Sequence, residues 1–394
     1  MNIRLSPLYP FFVILFLIGC IGDQTAVKDI AASVKDHFVP DPRTGIFDIE
    51  IEKDAGNYIL KGETENPEAL EALLDSLELN NRAYINKVQL LPGQELGNRT
   101  WAITNVSVSN IRKVPKHSSE LVTQGNLGAP VKILKKKGSW YLAQTPDQYL
   151  GWVNSGGIEL KTMEEMNDYY DNEKIIYTGI YGFSYQEPNV DSPVVADLVI
   201  GNVLKMVDSL KLFFKVVYPD GRTAYIKRSE ACVFSKWNTG VQLDGPGLIS
   251  TANRLLGIPY LWGGTSSKAM DCSGFTKTVY FMHGKVLPRD ASQQTYVGTL
   301  IDAHKDFGKL QPGDLLFFGR AATDSTNERV VHVGMWMGNM QFIHASDDVH
   351  ISSFDPQSSE YDEYNLNRYL RTNRLIGSDH SNIIPVERVY SSSW

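Results

Sequence analysis

Residues 258–284 read IPYLWGGTSSKAMDCSGFTKTVYFMHG, and this stretch decides how the carboxy-terminal part of the chain folds. Gly263 and Gly264 with the small polar residues after them predict a loop. A helix then starts near Cys272, with Phe275, Val279 and Met282 along its buried side and Gly284 as its stop. A cysteine at a helix amino terminus meets unsatisfied N–H groups and the positive end of the helix dipole, both of which favour thiolate over thiol. Cys272 is therefore the best nucleophile in the chain. Upstream, GPGLISTANRLLG (245–257) predicts another helix; downstream, DLLFFG (314–319), RVVHVGMWMG (329–338) and MQFIHAS (340–346) read as strands of an antiparallel sheet. YDEYN (361–365) and RYLRTNRLIG (368–377) fit an outer loop and a last strand.

Strand alternation puts His332 on one face with Gly334 and Trp336, and His344 lies on the next strand across the turn at Gly338 and Asn339. Two histidines on adjacent strands can be neighbours, one accepting the cysteine proton while the other holds its ring. A lone histidine among apolar residues is more often a structural hydrogen-bonding group. Cys272, His332 and His344 would also make a zinc site with an open fourth position, and their spacing does not decide between the two. His37, His117, His283, His304, His350 and His380 have no comparable context.

The 394 residues are enough for two to four domains, and a 42% hydrophobic fraction supplies real cores. With 38 basic against 45 acidic residues the formal charge is -7, which offers no general attraction to nucleic acid or anionic lipid. Three cysteines, at 20, 232 and 272, cannot build a disulfide framework. Cys232, in EACVFSKW, is expected to be a buried small hydrophobe. The first twenty residues, MNIRLSPLYPFFVILFLIGC, carry Arg4 before an apolar run from Phe11 to Ile18 that is too short to span a bilayer and reads as a signal-peptide core. Leu17 to Cys20 resembles the bacterial lipobox, which implies cleavage before Cys20 and its lipidation by a thioether-linked diacylglycerol and an amide-linked chain, which would anchor an otherwise soluble chain.

Between these ends, a short amphipathic segment around Ile30 to Phe38 and a turn at PDPRTG (40–45) precede two strands, IFDIEIE (46–52) and NYILKGE (57–63). Asn66-Pro67 starts a helix whose face is Leu70, Leu73, Leu74 and Leu77. VSVSNIRKVP (106–115), APVKILKKKG (129–138), SWYLAQT (139–145) and YLGWVNSGGIEL (149–160) are short strands between turns, the pattern of a small closed barrel. Residues 175–237 repeat that texture. The two segments resemble the bacterial SH3-like domains of cell-wall proteins, the second with TAYI where a late Gly-Trp pair is expected.

Through YLWGG, DCSG, LPRDASQQ, LQPGDLLFF, HVGMW and FIHAS in that order, residues 243–375 resemble the NlpC/P60 cysteine peptidases. The whole chain is similar to their γ-D-glutamyl-L-diamino acid endopeptidases. The resemblance implies an α+β fold: a signal peptide (1–20), a small α/β subdomain (21–104), two SH3-like small β-barrels (105–165 and 175–240) and a papain-like catalytic domain (243–394). It assigns Cys272 as nucleophile, His332 as base and acid, His344 as orienter, and the Cys272 N–H with the Tyr260 hydroxyl to the oxyanion. Glu120, Tyr149 and Asp271 would hold the free amine of an L-alanine, and Trp262, Ser273, Arg289 and Asp290 the dipeptide and the D-glutamate carboxylate; Ala291 stands where relatives can carry serine. The implied substrate is a peptide such as L-Ala-γ-D-Glu-meso-diaminopimelate or its lysine counterpart, cleaved without metal or cofactor by a monomer anchored in the bacterial cell envelope on its periplasmic side. Readings left open are a broader murein endopeptidase or amidase and a non-catalytic wall-binding scaffold.

Overall fold

The computed structural model describes residues 23–54 and 57–392. The expected signal segment and the Cys20 lipid site lie outside them. Among the described residues no helix is long and apolar enough to cross a membrane. The chain forms two compact units. Of the described residues, those from Asp23 to Pro42 and Ile46–Leu90 make the first; Arg43–Gly45 and those from Leu91 to 392 make the second.

The first unit runs α1 (Asp23–Phe38), β1 (Phe47–Asp54), β2 (Asn57–Thr64), α2 (Pro67–Leu79) and β3 (Tyr84–Leu90), with β2 central, antiparallel to β1 and parallel to β3. Asn66 caps α2 as its sequence suggests, its side-chain oxygen accepting the Ala69 N–H at 2.9 Å, and Leu70, Leu73 and Leu77 are buried. α1 is two turns longer than the amphipathic segment legible in sequence.

The second unit begins with two seven-stranded antiparallel sheets. One comprises β4 (Trp101–Thr104), β5 (Val108–Arg112), β6 (Leu121–Asn126), β7 (Pro130–Lys137), β8 (Trp140–Gln144), β9 (Leu150–Asn154) and β10 (Ile158–Lys161), in spatial order 10-4-7-8-9-5-6. After α3 (Met163–Asp171) the other comprises β11 (Lys174–Tyr177), β12 (Tyr181–Tyr185), β13 (Val194–Val199), β14 (Val203–Ser209), β15 (Phe213–Val217), β16 (Thr223–Lys227) and β17 (Ala231–Val233), in order 13-12-16-15-14-11-17. Here the structure corrects the expected fold class: neither sheet closes into a barrel. Among the described residues β10 pairs with β4 alone and β6 with β5 alone, and β13 and β17 likewise end the other sheet. An open edge still needs cover. β6 gets it from the loop before Cys272: Gln124 accepts the Thr265 N–H through Oε1 at 2.9 Å and the Thr265 hydroxyl through its carbonyl at 3.2 Å. Cys232 is a second correction. It is exposed because it lies on the edge strand β17 between inward-facing Ala231 and half-buried Val233.

The remainder holds α4 (Phe234–Gly240), α5 (Gly245–Asn253), the short hairpin β18 (Thr265–Ser266) and β19 (Ala269–Met270), α6 (Cys272–Phe281), β20 (Lys285–Val286) and α7 (Ala291–Gln294). At its end come β27 (Ile384–Pro385), which pairs with β20, and α9 (Val386–Val389); before them run β21 (Thr299–Asp302), β22 (Leu315–Arg320), β23 (Arg329–Gly338), β24 (Gln341–Ala345), β25 (Val349–Ser353), α8 (Glu363–Asn367) and β26 (Tyr369–Arg374). These last strands form a sheet in order 21-26-22-23-24-25, so β26 is inserted beside β22 and is not an edge. α6 buries Phe275, Val279 and Tyr280 against Val333, Met335 and Ile343 of that sheet. The same core continues through Ile200 and Val203 to Ile176, Ile103 and Trp101, joining the SH3-like sheets to the helix that carries Cys272.

Candidate active site

Asp271 is the N-cap of α6 and fixes everything after it. Its Oδ1 accepts the Gly274 N–H (2.7 Å), the Ser273 hydroxyl (3.2 Å) and Arg289 Nη1 (3.1 Å). Its Oδ2 accepts the Gly263 N–H (2.9 Å) and Arg289 Nη2 (2.6 Å). Arg289 is 1% exposed, and Nη1 also donates to Ser273 Oγ at 3.0 Å. A buried guanidinium and a buried carboxylate thus neutralise each other in fork geometry. The glycines around this knot are steric necessities: a Cβ on Gly274 would stand 2.0 Å from the Gly264 carbonyl oxygen, and one on Gly263, at φ +80°, 2.3 Å from that of Leu121.

Cys272 therefore occupies the first position of α6, buried. Burial pushes its thiol up to about 12, the Asp271 charge adding to the effect, while the N–H groups of Val333 and Ser273 work against it. Desolvation outweighs the helix terminus, contrary to the expected thiolate. His332, one residue before Val333, is buried on β23, and its Nε2 lies 2.8 Å from Nδ1 of His344 on β24. His344 Nε2 is 3.0 Å from Ser352 Oγ on β25. Burial, and then its histidine neighbour, hold His332 well below the usual imidazole range; burial, then His350, hold His344 down to about 3. These shifts favour a neutral thiol and two neutral imidazoles at rest, and His332 Nδ1 is the ring nitrogen outside the histidine pair. Gly334 leaves room for this pair, since a Cβ there would meet Phe342 at 3.0 Å and His344 Cβ at 3.3 Å. Among the described residues no cluster of three or more His, Cys, Asp or Glu side chains is arranged to hold a metal ion.

Four of the other expected residues form two hydrogen-bonded pairs. Trp262, 63% exposed, donates its indole N–H to Glu120 Oε1 at 3.0 Å, and Lys113 pairs with Glu120 Oε2 at 3.3 Å. In the second pair the buried Tyr149 donates its hydroxyl to Asp290 Oδ2 at 2.9 Å, so that its oxygen lone pairs remain for a further donor. Burial, then the Asp290 charge, raises the Tyr149 phenol, and burial, then Cys272, raises that of Tyr260; both stay protonated. Asp271 differs from its expected part, because five donors already engage its two oxygens. Two groups were not singled out in sequence. Arg43, in the PDPRTG turn, donates to Asp290 Oδ2 (2.7 Å) and Ser292 Oγ (2.9 Å). Lys277 of α6 pairs with Asp147 in the loop that presents Tyr149. Turn composition hides the first, and helix periodicity reads the second as solvent-facing.

Comparison with known proteins matches residues 257–393 to the NlpC/P60 family and residues 106–159 to the bacterial SH3 domain. The chain is 29% identical over 237 residues to the γ-D-glutamyl-L-lysine dipeptidyl-peptidase of Bacillus cereus, covering 58% of this chain and 68% of that one. It is 25% identical over 276 residues to dipeptidyl-peptidase 6 of Lysinibacillus sphaericus, covering 66% and 94%. The crystal structure of an NlpC/P60 family protein from Bacillus cereus superposes with a TM-score of 0.60 at 24% identity, over 70% of this chain and 99% of that one, a likeness of fold.

Proposed function

Because this chain is an NlpC/P60-family protein with an SH3-like domain, related by homology to γ-D-glutamyl-L-lysine dipeptidyl-peptidases, we propose that it hydrolyses the γ-D-glutamyl–diamino acid bond of murein peptides with a free amino-terminal L-alanine. At the coarser level it is a murein peptidase of cell-wall metabolism. Cys272 Sγ attacks the γ-carbonyl as its proton passes to His332, giving a tetrahedral oxyanion held by the Cys272 N–H and the Tyr260 hydroxyl. His332 then gives that proton to the departing amine, leaving a thioester. Water, deprotonated by His332, releases the L-Ala-D-Glu acid and returns the proton to sulfur. His344 holds the His332 ring throughout.

The observation that carries the substrate reading is the Glu120–Trp262 contact: an acidic residue at the end of an SH3-like strand meets the exposed indole of the loop leading to Cys272. It supports a cleft walled off beyond the first substrate residue, with a carboxylate where a free ammonium would sit. We assign that amine to Glu120 and the Tyr149 oxygen, with Asp271 holding the start of the Cys272 helix in place of its expected contact to the amine, and the dipeptide and D-glutamate carboxylate to Trp262, Ser273, Arg289 and Asp290. Diaminopimelate is the better leaving residue, since lipidation at Cys20 would place the protein in the envelope of a didermic cell, facing the periplasm. Mass spectrometry of L-Ala-γ-D-Glu-meso-diaminopimelate incubated with the protein and with Cys272→Ala tests the assignment. Release of L-Ala-D-Glu by the parent alone, and not from the N-acetylated peptide, is expected. Equal turnover of the acetylated peptide would sink the free-amine reading, and no cleavage of either would sink the peptidase assignment for this substrate.

A further inference from the structure

We propose that Ser352 is a positioning residue of the Cys272 site, its hydroxyl oxygen ending a hydrogen-bonded chain His332–His344–Ser352 that fixes which nitrogen of His332 is bare. The inference rests on the peptidase reading only through the part given to Cys272 and His332. Both nitrogens of His344 are engaged, Nδ1 with His332 Nε2 at 2.8 Å and Nε2 with Ser352 Oγ at 3.0 Å. His344 is 1% and Ser352 6% exposed, so bulk water is not a ready substitute for either partner. The placement follows from strand pairing. His344 stands opposite His350 and Phe342 opposite Ser352, which puts Ser352 on the same face of the sheet, diagonal to His344.

Two proton patterns satisfy such a chain. In the outward one, His332 Nε2–H donates to His344 Nδ1 and His344 Nε2–H donates to Ser352 Oγ. His332 Nδ1 is then bare and can take the thiol proton. In the inward one, the serine hydroxyl donates to His344, His344 donates to His332, and His332 carries its proton on Nδ1, where it cannot act as a base. Once His332 becomes an imidazolium, its Nε2–H is necessarily a donor and only the outward pattern survives. That pattern needs an acceptor beyond His344 Nε2, and among the described residues Ser352 Oγ is the one in contact with it. Among the described residues no carboxylate is hydrogen-bonded to His344. The charged and titratable groups around it are His350, whose ring centroid is 4.4 Å away and whose Nδ1 is 3.0 Å from Asp348, and Asp362 and Arg368 acting through space.

The test compares the parent with Ser352→Ala (S352A) and Ser352→Thr (S352T). Outer hydrogen-bond partners of metal-bound histidines are worth about 10–100-fold; scaled to this histidine pair, S352A should lose kcat by about that factor with KM changed less than about twofold, and threonine, which keeps the hydroxyl, should recover most of it. Iodoacetamide alkylation of Cys272 at pH 7, which needs no substrate, should slow by the same factor. In the parent, 15N spectra of the imidazoles should show His344 protonated at Nε2 and His332 bare at Nδ1, and S352A should change that pattern. A parent protonated at His344 Nδ1 would overturn the proposal even if S352A fails to fold. So would an alanine variant that alkylates and titrates like the parent, or a threonine variant as slow as alanine. If the parent leaves the tripeptide intact, the proposed substrate falls, while alkylation and the 15N pattern still decide the role of Ser352.

Discussion

The resting charge of Cys272 can be settled by one titration. A helix amino terminus stabilises an adjacent anion by about 0.3–2 kcal/mol. Raising a thiol from its usual range of about 8.5 to about 12 corresponds to about 4–5 kcal/mol against the thiolate, so burial wins over the helix by a wide margin. At pH 9 the thiolate fraction should then be about 0.1%, against about three-quarters for an ordinary thiol. The assay is the ultraviolet thiolate absorbance of the protein minus that of Cys272→Ala, recorded from pH 4 to 9.5, which cancels Cys232 and the tyrosines. No step should appear. A step of one thiolate per chain below pH 8 would show a resting ion pair with His332 and would refute the reasoning from burial, leaving the helix terminus and the Val333 and Ser273 N–H groups as the dominant influences. A flat trace means the proton leaves sulfur only during attack, so the catalytic rate should not track a thiol pKa anywhere below pH 9.

Three further expectations follow from named contacts. His332 and His344 fold neutral and titrate far below their unfolded value, so the stability they confer is complete above about pH 6.5 and is lost as pH falls, by up to about 1.4 kcal/mol per pH unit for each; urea midpoints at pH 7, 6 and 5 should fall more steeply for the parent than for His344→Gln. Asp271→Ala leaves Arg289 buried without its counter-charge and should cost about 3–5 kcal/mol in urea unfolding, and a loss under about 1 kcal/mol would mean the ion pair is not what holds the α6 terminus. Lys277→Met unpairs Asp147 beneath the Thr145–Tyr149 loop, so KM for the free tripeptide should rise several-fold while Cys272 alkylation stays near the parental rate; unchanged KM would separate Tyr149 from the substrate.

Local patterns carried much of this far. Period-two alternation was enough to put His332 and His344 on paired strands, and Asn66-Pro67 was enough to cap a helix, because both are contests between near neighbours in sequence. Closure of a sheet is not such a contest. Alternation says which face of β6 is buried, but whether its edge finds β10 or the Thr265 loop is decided by atoms more than thirty residues away. Cys232 fails for the same reason: apolar neighbours predict burial, and an edge position undoes it. Arg43 and Ser352 carry no local signal at all, since a turn arginine and a strand serine are ordinary until tertiary pairing brings them to Asp290 and His344.

Asp271 shows why motif identity and role part company. The residue before the cysteine reads in sequence as an anion available to substrate, yet in the fold it must cap α6, neutralise Arg289 and hold the Gly263 turn together. A carboxylate already taking five hydrogen bonds has little acceptor capacity left for an ammonium. Glu120 has more: its side chain is 43% exposed, among the described residues its carboxylate meets an indole N–H and a solvent-facing lysine, and it comes from the SH3-like segment of the chain. The division of labour that follows is physical. Under the proposed function the NlpC/P60 segment would supply the nucleophile, with its neighbouring anion consumed in building the helix start, and discrimination at the amino end of the peptide would fall to a side chain that the segment does not encode. Glu120→Gln should accordingly raise KM for the free peptide while leaving the rate of Cys272 alkylation unchanged, and an unchanged KM would take the amine away from Glu120.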